Sequence, residues 1–177
     1  MVSEAPLRRT DAGLVPEGDG WFVVNAREAL WKDGPFGAYT RFEGEPRFRD
    51  LGINLSLLWP GQVSCMYHRE DEQEDFLVLS GELLLLVEGE ERLLRAWDFV
   101  HCPPWTAHVF VGAGDGPCVV VAVGTRTSGE GVYPVADIAL RHGAGVERET
   151  SSADEAYARF DKDGETPYRE GWLPDLG

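Results

Sequence analysis

Residues 61–110 read GQVSCMYHRE DEQEDFLVLS GELLLLVEGE ERLLRAWDFV HCPPWTAHVF, and this stretch decides the fold. Short apolar or alternating runs fill it: Ser64 to Glu70, Asp75 to Leu79, Glu82 to Glu88, Glu91 to Leu94, Asp98 to Cys102 and Ala107 to Val111. Each run is strand-sized, with Ser80-Gly81 and Pro103-Pro104 as punctuation. Glu88-Gly89-Glu90 predicts a tight hairpin turn, because Gly89 takes positive φ without steric cost. Ile53 to Trp59 and Cys118 to Thr125 continue the pattern on either side, set off by Pro60-Gly61 and by Gly112 to Pro117. Many short strands with no long helix among them predict an all-β sandwich or barrel.

The flanks read differently. Residues 1–20 carry Pro6, Gly13, Pro16, Gly18 and Gly20 among charges, which predicts a loose, flexible N-terminal arm. Trp21 to Asn25 is strand-like, Ala26 to Lys32 fits one or two helical turns, and Asp33 to Asp50 reads as irregular chain with a short strand near Tyr39 to Phe42. After Thr125, Val135 to His142 and Thr150 to Phe160 are short helical candidates, the second capped by Ser151 or Ser152. The expected division is an arm over 1–20, a barrel with flanking strands over 21–145 whose core spans about 50–125, and an extension over 146–177 that packs on the barrel or on a partner.

A chain of 177 residues with 43% hydrophobic composition builds one domain with a sizeable core. Sixteen Lys and Arg against 31 Asp and Glu leave a formal charge of -15. That charge repels nucleic acid and anionic membranes unless a local basic patch escapes the average, and Arg8-Arg9 is the one adjacent basic pair. The N-terminus has no basic stretch followed by an apolar core, and the longest apolar runs are strand-sized, so neither a signal peptide nor a membrane span is expected. Cys65, Cys102 and Cys118 form an odd set without CxxC spacing, which favours buried thiols in a reducing cytoplasmic setting.

The chemistry concentrates near Ser64 to Glu74. In a strand, Met66, His68 and Glu70 share one face while Cys65, Tyr67 and Arg69 share the other. A buried face holding histidine beside carboxylate needs something to satisfy both. Glu74 stands just before the apolar run Phe76 to Leu79, and His108 opens another strand. Imidazole and carboxylate arriving from separate strands commonly hold a divalent cation. The same residues also fit blander roles: His68 and Glu70 a solvated strand edge, His108 a hydrogen-bonded structural histidine.

The segment from Gly61 through His68, Glu70 and Glu74 to Gly81 resembles the first signature of the cupin superfamily: a glycine, a His-x-His pair, a glutamate and a closing glycine. Asp98 through Pro103, Trp105 and His108 resembles the second, in which a turn proline precedes a strand histidine. Glu70 stands where the second histidine of the pair is usual, Trp105 where a glycine is usual, and one extra residue separates Gly61 from His68. The resemblance implies a double-stranded β-helix (jelly-roll) barrel with an irregular N-terminal arm and short C-terminal helices. It implies one divalent metal ion (iron, manganese, nickel or zinc) on His68, Glu74 and His108. Glu70 then serves as a fourth ligand or turns aside as a catalytic base. Met66, Phe76 and Phe110, with Trp105 and Tyr67, are the expected pocket residues. The implied function is a small-molecule metalloenzyme of dioxygenase, isomerase or decarboxylase type. A non-catalytic small-ligand binding module and a metal-free structural barrel are the alternatives. A homodimer is expected, with Trp21 to Val24 and Trp172 as candidate arms.

Overall fold

The alternation read across residues 51–125 is realised almost run for run in the computed structural model, which describes residues 1–175. In chain order the strands are β1 (Leu7–Thr10), β2 (Gly13–Pro16), β3 (Trp31–Gly34), β4 (Gly37–Thr40), β5 (Leu51–Leu58), β6 (Arg69–Glu70) and β7 (Glu74–Ser80). There follow β8 (Glu82–Val87), β9 (Glu90–Arg95), β10 (Phe99–Cys102), β11 (His108–Ala113), β12 (Cys118–Thr125) and β13 (Gly131–Val132). Helices α1 (Asp137–Arg141) and α2 (Ala153–Tyr157) and strand β14 (Gly164–Thr166) complete the described chain.

From β7 to β12 the chain passes back and forth between two antiparallel sheets, giving the jelly-roll barrel. One has the order β10-β7-β12-β5-β4-β3-β14, the other β11-β8-β9. Phe76 and Val78, Leu83 and Leu85, Cys102, Phe110, Cys118, Val120 and Leu58 meet between them as the interior core. Strand β8 is apolar at every position from Leu83 to Val87 because both its faces are covered. Leu83 and Leu85 look into the barrel, while Leu86 joins Val109, Val111, Ile138 and Ala139 in a second cluster that includes α1. The β8–β9 turn has Glu88 at φ 48° and Gly89 at φ 81°, the two successive positive values of a two-residue hairpin that matches strand twist.

The flanks depart from expectation in three places. Residues 1–20 contain the β1–β2 hairpin, which is tied to the following segment by Leu14 N–H to Glu28 O (2.7 Å) and Leu30 N–H to Leu14 O (3.1 Å). Gly13 makes this approach possible: a Cβ there would lie 2.4 Å from Ala29 O. Ala26 to Lys32 is a turn leading into β3 rather than a helix, since buried Trp31 must lie in the sheet, with its indole N–H donating to Ala26 O at 2.8 Å. Trp21 to Asn25 forms one bridge, Glu4 with Trp21, and no strand. In keeping with an extension expected to pack on the barrel or on a partner, Trp172 is 6% exposed and packs on Trp31 (centroids 5.2 Å) over Leu55, Leu57 and Val119. Among the described residues no helix is long and apolar enough to cross a membrane.

Candidate metal centre

His108 is the first residue of β11, and its backbone forms an antiparallel bridge with His68: His108 N–H donates to His68 O (2.9 Å) and His68 N–H to His108 O (3.3 Å). Residues directly opposite in an antiparallel pair send their side chains to the same face, and the two imidazole centroids lie 5.3 Å apart. Glu74, the first residue of β7, sits opposite Cys102 on one side and Gly124 on the other. Glu70 ends β6, opposite Gly131.

Both imidazoles are held the same way. His68 Nδ1 lies 3.0 Å from Met66 O, and His108 Nδ1 lies 3.0 Å from Thr106 O. A carbonyl oxygen only accepts, so each Nδ1 carries a proton and each Nε2 is left to hold a second proton or a cation. His108 Nε2 is 3.2 Å from Glu74 Oε2, and His68 Nε2 is 3.8 Å from Glu70 Oε2. One ligand atom from each of His68, Glu70 and Glu74 lies within 4.8 Å of the other two, and His108 joins through its contact with Glu74. His68, Glu70 and Glu74 thus converge on one point, and His108 Nε2 adjoins it through Glu74. Backbone carbonyls fix the rings, as second-sphere partners do at metal sites.

Electrostatics sharpens the picture. Burial, and then the charge of Glu74, push the Glu70 carboxyl up to about 7. Burial also raises Glu74, but the hydrogen bond and charge of His108 outweigh it and hold Glu74 below the usual carboxylate value. Desolvation depresses His108, but its bond to Glu74 carries it above the ordinary histidine value. His108 is 3% exposed, and burying an imidazole with two carboxylates is costly without a compensating cation or proton. The donor set fits a divalent ion.

The expected pocket residues divide. Phe76 and Phe110 form the apolar wall, with ring centroids 5.4 and 6.1 Å from His108 and 4.6 Å from each other. Met66 is fully buried and its carbonyl orients His68. The Ser64 to Glu70 run is a strand only at Arg69–Glu70, so Met66 contributes through its backbone rather than as part of a strand face. Trp105 turns at φ 71° with its N–H on Glu70 O (2.6 Å) and its side chain half exposed. Tyr67 lies in the outer cluster with α1, because the alternation that turns His68 inward turns Tyr67 out.

Several neighbours were not foreseen from sequence. Cys65 Sγ lies 3.7 Å from His68 Nδ1 despite the expected opposite face. Tyr133 has its ring 6.0 Å from that of His68, and Tyr157 accepts the Met66 N–H at 3.1 Å. A cavity of about 460 Å³ lies between the β1–β2 hairpin and β3–β4 and touches none of the four candidate ligands. A smaller one, about 230 Å³, opens beside Glu74 and is bordered by Arg41, Arg47 and Arg126. Three arginines far apart in the linear sequence are therefore brought together in space, beside Glu43, Glu72 and Glu74.

Residues 54–124 match the family model described as cupin domain. The chain is 32% identical over 69 residues to gentisate 1,2 dioxygenase 1 of Aquipseudomonas alcaligenes, covering 39% of this chain and 20% of that protein. It is 30% identical over 108 residues to glucose-6-phosphate isomerase of Pyrococcus abyssi, covering 54% of this chain and 57% of that protein. The match thus spans a fifth of one curated relative and little more than half of the other. A Cupin 2 conserved barrel domain protein from Salinispora arenicola superposes with a TM-score of 0.51 at 22% identity, over 63% of this chain and 92% of that one, and supports the fold.

Proposed function

From the premise that this chain belongs to the cupin superfamily through residues 54–124, we propose that it is a metal-dependent enzyme acting on a small molecule. His68, Glu70, Glu74 and His108 would hold one divalent ion. The observation that carries this reading is the matched pair of Nδ1–carbonyl contacts, which turns both Nε2 atoms toward two carboxylates. Two imidazoles with carboxylates suit iron, manganese, nickel or zinc. Such an ion, when bound, supplies Lewis-acid polarisation of a substrate oxygen.

The chain's own residues do the remaining work. Phe76 and Phe110 exclude water behind His108. Glu70 is the most exposed of the four side chains, at 25%, and burial pushes its carboxyl up to about 7 in the metal-free chain, so where it turns aside from the ion it is the group able to hold or give up a proton. The two relatives carry out an oxygenation and an isomerisation by name, and this site is compatible with either.

Element-resolved metal analysis of the full chain, incubated separately with each of these four metals, tests the proposal. About one equivalent per chain is expected with at least one of them, and His68→Ala and His108→Ala are each expected to lose it, as deleting a ligand should. Wild-type protein that stays empty with every metal would overturn the reading.

A further inference from the structure

The 230 Å³ cavity beside Glu74 is the mouth of the barrel, and its floor is built from missing side chains. Across three neighbouring strands Glu74 lies opposite Gly124, and Gly124 opposite Gly52. A Cβ on Gly124 would meet Glu74 Cγ at 3.7 Å, and one on Gly52 would meet the Arg126 guanidinium at 3.4 Å. Two adjacent glycines thus leave an open lane two strand spacings wide, roughly 10 Å, with a candidate metal ligand at one end and guanidinium groups at the other.

Charge is unevenly committed there. Arg126 is bound by both oxygens of Glu43, at 2.7 and 3.0 Å, and by Phe48 O. Glu43 also accepts the Phe48 N–H at 3.0 Å, and Glu72 accepts the Thr127 N–H at 3.0 Å. Arg41 and Arg47 border the same cavity, and neither makes an ion pair among the described residues. Arg41 instead lies over the Tyr39 ring at 5.2 Å, a contact that stiffens the side chain and leaves its N–H groups free. On a chain of formal charge -15, three arginines here balance the three glutamates, Glu43, Glu72 and Glu74, that border the same cavity, and two of the guanidinium groups have no carboxylate partner among the described residues.

We propose that this mouth is an anion subsite: Arg41 and Arg47 hold the carboxylate or phosphate group of a small substrate whose other end lies over Gly124 and Gly52 toward Glu74. The inference deepens the metalloenzyme reading and rests on it for the direction in which the substrate points. Guanidinium pairs grip planar or tetrahedral oxyanions through paired N–H donors, which gives orientation as well as affinity.

Calorimetric titration of the metal-incubated full chain with methyl phosphate and, separately, with benzoate tests the subsite, with metal content measured on the same samples. Saturable binding of at least one probe is expected. Arg41→Gln and Arg47→Gln should each weaken it about tenfold or more, in keeping with loss of a charged hydrogen bond, and leave the metal content unchanged. Arg8→Gln, on the outer cavity alone, should leave affinity as it was. The tighter probe identifies the oxyanion class. If wild type binds neither probe, or the Arg41→Gln/Arg47→Gln double variant binds as wild type does, the subsite is overturned even where metal is present. Arginine-dependent binding on a chain that takes up no metal would uphold the subsite and overturn the metal reading instead.

Discussion

The two histidines reach the same geometry by different routes. His108 opens a strand whose residues from His108 to Gly112 are all buried, and two phenylalanine rings flank it. His68 ends a segment that has no continuous ladder. Val63 and His68 make single bridges to Val111 and His108, Ser64 N–H donates to Phe110 O (2.9 Å), and Tyr67 N–H donates to Ala144 O (2.8 Å). Yet both rings give Nδ1 to the carbonyl two residues back at the same 3.0 Å. Regular β-structure supplies one half of the candidate centre, and contacts with the chain beyond the barrel supply the other.

The strand-borne half is the one to break hardest. Phe110 is 3% exposed, meets Phe76 edge-on, accepts the Ser64 N–H at its carbonyl and donates its own N–H to Ser64 Oγ. Phe110→Ala should cost about 3–5 kcal/mol of unfolding free energy in a urea titration, by lost burial and the cavity left behind. The folded fraction should also bind metal more weakly, because His108 and Phe76 lean on the same ring. A cost below about 1 kcal/mol would mean that His108 is not anchored through this core.

Glu70 offers a gentler test, since it belongs to the less regular half. Its carboxyl keeps a proton up to about 7, against an ordinary value of 4.5. Between those values the folded metal-free chain binds more protons than the unfolded chain, so this group lowers stability as pH rises through that window. His108, raised by Glu74, changes stability in the same direction at the upper end, whereas lowered Glu74 acts only below its ordinary value. Thermal unfolding of the metal-free protein near pH 5 and near pH 8 should therefore show a decline that Glu70→Gln reduces, by about 1–2 kcal/mol after allowance for solvent screening. A decline of equal size in both proteins would remove Glu70 from the account.

The same contrast explains what the sequence made legible. Strand β8 and the Glu88-Gly89 turn follow from local period and turn chemistry, which neighbouring residues decide, whereas the pairing of His108 with Glu74 is what the cupin resemblance implies. Where the chain leaves regular structure, local rules lose force. Alternation turns His68 inward and Tyr67 outward, but says nothing of the irregular path at Met66 or of Cys65 lying near the His68 ring. The arginine mouth is invisible to any window, since Arg41, Arg47 and Arg126 come from loops up to 85 positions apart and are joined by β5 and β12. The β1–β2 hairpin was obscured for the opposite reason. Glycine and proline there read as looseness, whereas Gly13 permits a backbone approach that no side chain would allow.

The smallest structural change, one oxygen, gives the most discriminating test. Tyr157 of α2, 91 positions along from Met66, accepts the Met66 N–H at 3.1 Å, and the Met66 carbonyl in turn receives the His68 Nδ1–H. Tyr157→Phe deletes only the hydroxyl. The ring can keep its edge contacts with Phe36 (5.2 Å) and Tyr133 (5.8 Å), so packing is preserved while a buried amide loses its partner. That loss should cost about 1–3 kcal/mol and loosen metal binding a few-fold, with metal content at saturation unchanged. Nitrogen NMR of the imidazoles separates positioning from general destabilisation: the His68 Nδ1 and Nε2 signals should move, while those of His108, whose proton goes to Thr106 O on the barrel, should stay. If both sets shift together, α2 stabilises the fold as a whole; if neither shifts, the barrel alone orients both rings and the difference between the two histidines has no functional weight.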